Sequence, residues 1–473
     1  MSADRFDLIV IGSGFGSLFF VDGFLRKRPQ ARVLVLERGR FHSHAWQMEQ
    51  GRNSDISPEE TYRTPRGHKL WNFTIGLGGG TNCWMAQTPR LHPSDFRMRS
   101  SYGVAQDWPV SYEQLEPYYI QAEERMSVAG AEEMAAILPR SKSFPQPAHA
   151  MTAVDRVMQQ AQPQFHFPMS CARASIATQT RGRCCASARC SLCPVNSKFT
   201  FENGFADLRK RSNVEFRLEC EVTHLDVAND TCTGVFYQHD GQQHRVTGDL
   251  IVLGANAIHS PAILLRSGID HPYTGVGIHE QIGYGLEVML DGLDSLDGGT
   301  LTTALNYSLY DGAFRSEYAG ALIYFDNRWP YGLRKEFGRW RQLSTLVVVV
   351  EDLPQDENRV TVEADGMPHI SHAQVSAYAQ RGVDKSRAAI ERVLAPLPVE
   401  RIEFRGMRAT ESHVQGSLRM GVDAATSVVD AKQLHHKVRN LAVVGSSVFP
   451  SGSSSNPSLT VAALSLRSAD LLA

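Results

Sequence analysis

Two segments in the last quarter of the chain pair a titratable ring with a neutral amide. One reads His413-Val414-Gln415-Gly416-Ser417-Leu418-Arg419-Met420-Gly421, the other Ser453-Ser454-Ser455-Asn456-Pro457-Ser458-Leu459-Thr460-Val461. An alcohol gives up hydride only as its hydroxyl proton leaves, and imidazole, titrating near neutral pH, is the usual acceptor of that proton. A neutral amide beside it can orient the substrate oxygen without competing for the proton. A third segment, Arg183-Cys184-Cys185-Ala186-Ser187-Ala188-Arg189-Cys190-Ser191-Leu192-Cys193-Pro194, places four of the eight cysteines within ten residues. In a chain without an export signal, such spacing points to metal binding or redox work before a structural disulfide set. Thiolates at Cys184, Cys185, Cys190 and Cys193 suit an iron–sulfur cluster. Tetrahedral zinc, disulfides including a vicinal one, and unoccupied core thiols stay open beside it.

These groups need elements to hold them. Asp7 to Ile11 reads as a buried strand, followed by Gly12-Ser13-Gly14-Phe15-Gly16-Ser17 and apolar residues at helical spacing. A second apolar run, Val33 to Leu36, ends in Glu37. Strand, glycine turn, helix, strand and terminal acid are the order of a βαβ dinucleotide-binding unit. Gly12 permits the tight turn, Gly14 lets backbone approach a pyrophosphate, and the helix start offers free N–H groups. Glu37 is placed for a ribose hydroxyl, with Arg38 beside it. Ser17 stands where a third glycine or alanine is usual and is small enough to keep helix and strand close. A second glycine-rich loop, Gly76-Leu77-Gly78-Gly79-Gly80-Thr81-Asn82, suits backbone packed against a flat ring or phosphate. Ser111 to Gln114 predicts a capping box and a helix running to about Met126. From Ala135 to Thr180 the pattern fades. Alternation around Val214 to Phe236 predicts strands, Asp249 to Gly254 another, and Ser260-Pro261 a helix opening at Ala262. Residues 285–410, with Leu346 to Val350 and Val360 to Glu363, read as a mostly antiparallel sheet with two or three helices. Leu441 to Val444 and a helix from Leu459 to Leu472 close the chain.

In this order and spacing the pieces resemble the glucose–methanol–choline (GMC) family of flavin oxidoreductases over nearly the whole length. They include the two glycine loops with Glu37 and the stretch Gly254-Ala255-Asn256-Ala257-Ile258-His259-Ser260-Pro261. Glu351-Asp352-Leu353-Pro354 with Asn358-Arg359-Val360, and the two C-terminal segments, complete the set. The resemblance implies a fold of α/β plus antiparallel β: a Rossmann-like FAD-binding domain from residues 1–95, 196–285 and 411–473, a lid or connecting region 96–195, and a substrate domain 286–410. It implies His413 as catalytic base and Asn456 as its partner. FAD would lie against Gly12, Gly14, Ser17, Glu37, Arg38, Gly79, Gly80, Thr81, Asn82, Ala255, Pro457 and Ser458, and would accept hydride at N5. Some relatives attach FAD through a histidine after the second glycine loop; Cys83-Trp84-Met85 stands there, so FAD is expected without a covalent bond. The cysteine segment is similar to that of bacterial FAD-dependent sugar dehydrogenases bearing a [3Fe-4S] cluster, with slightly shorter spacing that keeps [4Fe-4S] open. The expected activity is a dehydrogenase of a sugar or polyol-like CH–OH group, passing electrons through the cluster to an external acceptor such as a cytochrome, with a small accessory subunit. An FAD oxidase of a small alcohol or secondary metabolite, and an FAD-containing lyase of the same family, are the alternatives.

Composition sets the outer bounds. Among 473 residues, 42% are hydrophobic and 21% charged, ordinary for a folded protein. Fifty acids against 48 bases give no net-charge argument for nucleic acid or a membrane surface. The short basic runs at 25–29 and 208–211 read as solvated helix faces. The N-terminus enters a short apolar run too brief for a secretory core or a membrane span, so cytoplasmic synthesis is expected, with export only beside a signal-bearing partner. His244, His271, His435 and His436 read as structural.

Overall fold

A computed structural model describes residues 5–65, 69–327 and 338–473. The N-terminal four residues of the expected leaderless start, and 328–337 of the expected antiparallel stretch, lie outside the described residues.

The first sheet is parallel at its centre. Strand Arg5–Ile11 pairs with Val33–Leu36 on one side and Gln242–Leu253 on the other. Val214–Arg217 extends one edge and Leu441–Val443 lies on the far side of Gln242–Leu253. All four residues of Val33–Leu36 are buried, as expected of a parallel strand covered on both faces. Gln242–Leu253 is long enough to do two jobs. Its later half completes the parallel sheet, and its earlier half pairs antiparallel with Thr231–His239, which pairs with Glu221–Ala228. Helix Phe15–Lys27 covers this sheet and packs on the C-terminal helix Ser458–Leu472, which in turn packs on Tyr112–Met126.

The second sheet has six strands in the order Val399–Met407, Ile282–Leu290, Leu343–Val350, Ala321–Asp326, Thr302–Asn306 and His166–Pro168. Its pairings are antiparallel. The edge strand His166–Pro168 comes from the 96–195 region. Period-two alternation splits the sheet faces. Ala321, Ile323 and Phe325 pack with Leu346, Val348 and Val350 beneath helix Ala377–Val393. Leu322, Tyr324 and Val349 point the other way, and Tyr324 reaches the serine loop that precedes Ser458–Leu472.

Three elements differ from expectation. The helix predicted to open at Ala262 starts six residues earlier, spanning Asn256–Arg266 with Pro261 inside it. Proline removes the bond its N–H would make to the carbonyl four residues back. Here the Ser417 hydroxyl donates to that carbonyl, Ala257 O, at 2.8 Å, and Asn256 Oδ1 accepts from the Ile258 and His259 amides. The stretch 135–180 holds helix Ala153–Ala161, opened by a capping box between Thr152 and Asp155. Residues 285–410 hold one α-helix, Ala377–Val393, rather than two or three, among the described residues. No described helix is long and apolar enough to cross a membrane.

Candidate active site

The two glycine loops meet at the carboxyl end of the first sheet. Gly12 has φ +85°, and a Cβ there would come 2.7 Å from Gly254 O. Gly79, at φ +47°, would bring a Cβ 3.0 Å from Gly14 Cα. Ser13 fastens the loops together: its hydroxyl accepts from Gly78 N at 3.0 Å and donates to Glu37 Oε2 at 2.6 Å. Glu37 also accepts from Ser13 N and Gly39 N. Outside this knot lies open backbone. A Cβ on Gly14 would meet nothing within 4 Å, and Gly14 caps helix Phe15–Lys27. An open, side-chain-free face at a helix start fits a dinucleotide pyrophosphate.

The other expected cofactor residues surround it unevenly. Thr81 and Asn82 are buried, Thr81 Oγ1 accepting from Phe201 N and Asn82 Nδ2 donating to Leu77 O. Gly80 lies beside the Phe15 ring. Arg38 is half-buried, paired with Glu221 at 3.5 Å, and lines a cavity of about 400 Å³ with Arg40, Glu219, Glu221 and His239. Ala255 N is held by Ser260 Oγ. Ser17 is turned inward: a Cβ on Gly254 would lie 2.2 Å from its hydroxyl, so it serves helix–strand packing. Pro457 caps Ser458–Leu472, and Ser458 is its first residue.

His413 and Asn456 come together, with His413 Nε2 3.2 Å from Asn456 Nδ2. His413 follows the strand Val399–Met407 on a loop that a buried carboxylate gathers. Glu280, 3% exposed, accepts from the His413 amide, the Glu411 amide and the Thr410 hydroxyl. Its charge is paired with Lys69. Glu280 and Gln281 immediately precede strand Ile282–Leu290, so the second sheet itself sets the loop. Gln281 Oε1 lies 3.1 Å from His413 Nδ1. Burial, aided by the Arg408 charge, lowers the His413 pKa to about 4, so the ring is neutral at neutral pH. Burial also pushes the neighbouring Glu411 carboxyl up to about 7, opposed by Arg408 at 2.7 Å and aided by Glu280. On the far side, the Tyr324 hydroxyl donates to Asn456 Oδ1 at 3.0 Å, and Gln87 Oε1 accepts from Asn456 Nδ2 at 3.3 Å. A neutral imidazole and an amide aimed at one point can take a hydroxyl proton and hold an oxyanion.

Glu280, Gln281, Tyr324 and Gln87 went unread in the sequence. The polar triplet His279-Glu280-Gln281 before an apolar strand was the available signal for two of them; Tyr324 and Gln87 gave none. The histidines read as structural have ordinary duties. His435 Nδ1 accepts from Lys437 N and Val438 N, His436 meets Ser427 Oγ, His271 meets Ala424 O, and His244 stacks on Tyr237.

The expected cluster at the cysteine segment finds no support in the placement of the side chains. Among the described residues no group of three or more His, Cys, Asp or Glu side chains is placed to hold a metal, and all eight cysteines are free thiols. Cys184, Cys185, Cys190 and Cys193 face different neighbours. Cys185 is exposed, Cys184 Sγ lies 3.5 Å from Thr300 Oγ1, and Cys193 Sγ accepts from Ser197 N. Ala186 and Ala188 turn the chain between them at φ +50° and +63°. The arrangement as it stands does not fit an iron–sulfur cluster. Two buried cations lie close by. Lys198 Nζ donates to Ser191 O and Asn82 O, its pKa lowered to about 8 by burial. Arg173 Nε donates to Thr300 Oγ1 at 2.6 Å.

The family model of GMC oxidoreductase matches residues 69–288 and 354–465. The fructose dehydrogenase large subunit of Gluconobacter japonicus is 27% identical over 98% of this chain and 97% of its own. The 6'''-hydroxyparomomycin C oxidase of Streptomyces lividus is 30% identical over 100% of this chain and 92% of its own. Among solved structures, pyridoxine 4-oxidase from Mesorbium loti superposes with a TM-score of 0.70 at 19% identity, covering 98% of both chains.

Proposed function

This chain belongs to the GMC oxidoreductase family, and from that premise we propose that it oxidises a sugar or polyol-like alcohol with His413 as the base. Membership makes it an FAD-dependent oxidoreductase acting on CH–OH groups. The observation that carries the finer reading is the neutral His413 ring facing Asn456 at 3.2 Å. The His413 Nε2 lone pair takes the substrate hydroxyl proton. The substrate oxygen would enter between His413 Nε2 and Asn456 Nδ2, so that the Asn456 N–H now pointing at Nε2 donates to it as it becomes an alkoxide and then a carbonyl. Gly12, Gly14, Gly79 and the start of Ser458–Leu472 would hold FAD without a covalent bond, and it would supply the hydride acceptor. Glu280 keeps the His413 loop in place. The sugar assignment is supported by the names of relatives whose donors are fructose and a hydroxyparomomycin.

The electron acceptor separates two readings. A dehydrogenase with a cytochrome-like partner and a small subunit is supported by the cysteine segment and by the large-subunit relative. The present placement of the cysteines does not fit a cluster, so no electron step is derived through them. An oxidase using O₂ is favoured by the oxidase relative. Anaerobic purification with iron and sulfide analysis, followed by addition of sugars and polyols, tests both. Bleaching of the flavin band by an alcohol is expected, and its failure with every alcohol tried would leave the lyase alternative. About three or four irons per chain, with dye reduction faster than O₂ consumption, supports the dehydrogenase; no iron and equal rates support the oxidase.

A further inference from the structure

The hydrogen bonds around His413 fix its tautomer from two ends. At one end, Gln281 Nε2 lies 2.7 Å from Ser453 O and 3.0 Å from Ser455 O. Carbonyl oxygens only accept, so the Gln281 amide nitrogen must face them. Its oxygen therefore faces His413 Nδ1, and a bond there requires the proton on Nδ1. At the other end, Asp326 Oδ1 accepts from the Thr302 hydroxyl at 2.6 Å. With its proton committed, the Thr302 oxygen accepts from Gln87 Nε2 at 2.7 Å. Gln87 Oε1 must then face Asn456 Nδ2, while Asn456 Oδ1 accepts from Tyr324. The second Asn456 N–H is left pointing at His413 Nε2, which accepts with a lone pair. The two chains of reasoning share no residue but His413, and they give the same tautomer.

We infer that Gln281 is a positioning residue that holds the His413 proton on Nδ1 and keeps the Nε2 lone pair on the substrate side. The inference rests on the reading of His413 as base. A base with its proton on the wrong nitrogen is in place yet idle, which is the reason partners of catalytic histidines matter beyond packing. Gln281 is 1% exposed, and its anchors Ser453 and Ser455 belong to the loop that carries Asn456. One side chain thus sets the base and the amide partner together.

The test is long-range ¹H–¹⁵N correlation on holoenzyme labelled in its histidine rings, with His413→Ala identifying the resonance. A protonated Nδ1 and bare Nε2 are expected at neutral pH. Gln281→Leu should mix the tautomers and lower kcat at least about tenfold, within the roughly 10²- to 10⁴-fold a positioned base contributes, with KM little changed. Gln281→Glu, whose carboxyl must be protonated to donate to Ser453 O or Ser455 O, keeps its other oxygen on Nδ1–H and should restore the single tautomer. A protonated Nε2 in the parent, or an unchanged tautomer in Gln281→Leu, overturns the inference. Should Gln281→Leu not fold, the parent and Gln281→Glu spectra decide it. If His413→Ala keeps its kcat, the reading of His413 as base fails while the tautomer result stands.

Discussion

Around His413 the chain supplies a partner for each polar atom: Gln281 on Nδ1, Asn456 on Nε2, Glu280 on the backbone. Around Cys184–Cys193 it buries two cations, one of which, Arg173, against the upward pull of burial, holds the buried Cys171 thiol down to about 6 and so has a thiolate beside it. Lys198 and Arg173 are buried among carbonyls, a hydroxyl and thiols, and Cys184 and Cys193 lie near Cys190 without forming a metal-holding group. The first region is finished by folding alone. The second, with two alanines in left-handed conformations that cost roughly 1–2 kcal/mol each in L-residues, is held by the loops that flank it. The difference teaches that chemistry-bearing residues can be equally visible in a sequence and differ in whether the protein by itself assembles them.

The comparison can be broken at either region. His413→Ala should lower kcat by about 10²- to 10⁴-fold with flavin content unchanged; a rate near the parent's would remove the base from the site. Glu280→Ala should cost about 3 kcal/mol, because it leaves three donors without their buried acceptor and the half-buried Lys69 without its partner. A denaturant midpoint equal to the parent's would show that the loop holds itself. The acid limb of kcat/KM follows from the lowered His413 pKa. The base works unprotonated, so activity persists below pH 6.5 and is lost as pH falls through about 4. A limb at 6.5 would mean that the ring is solvated. The smallest effect is expected of Cys185→Ser, within about 0.5 kcal/mol of the parent for an exposed side chain. Loss of iron in this variant alone would show that the exposed thiol is drawn into a cluster, and would erase the contrast.

What was legible in the sequence followed local pattern. The strand–glycine–helix unit, the second glycine loop and the two short segments that hold His413 and Asn456 each announce themselves in a continuous stretch of sequence. The residues that orient that pair do not. Gln281 precedes a strand, Tyr324 lies inside another and Gln87 sits in a loop, and only the fold brings Tyr324 to Asn456. The early start of helix Asn256–Arg266 was hidden for a similar reason. Proline at 261 argued locally for a boundary, and the hydroxyl that satisfies Ala257 O sits far along the chain at Ser417. Helix Ala153–Ala161 was legible and overlooked, since Thr152 and Asp155 form an ordinary capping box. The cysteine spacing was plain, but spacing alone does not say where four side chains point.

Helix Ser458–Leu472 bears on how the protein is born. It is buried along most of its length against Phe15–Lys27, a helix made some 430 residues earlier. At about 5–20 residues per second of synthesis, the face of Phe15–Lys27 at Gly23, which lies against Leu466 and Ala469, waits roughly twenty to ninety seconds for its cover. During that interval the nascent chain shows a greasy helix to the crowd around the ribosome. Expression yield should therefore depend on holdase chaperones, and a stop codon before Ser458 should give aggregate rather than a smaller folded protein.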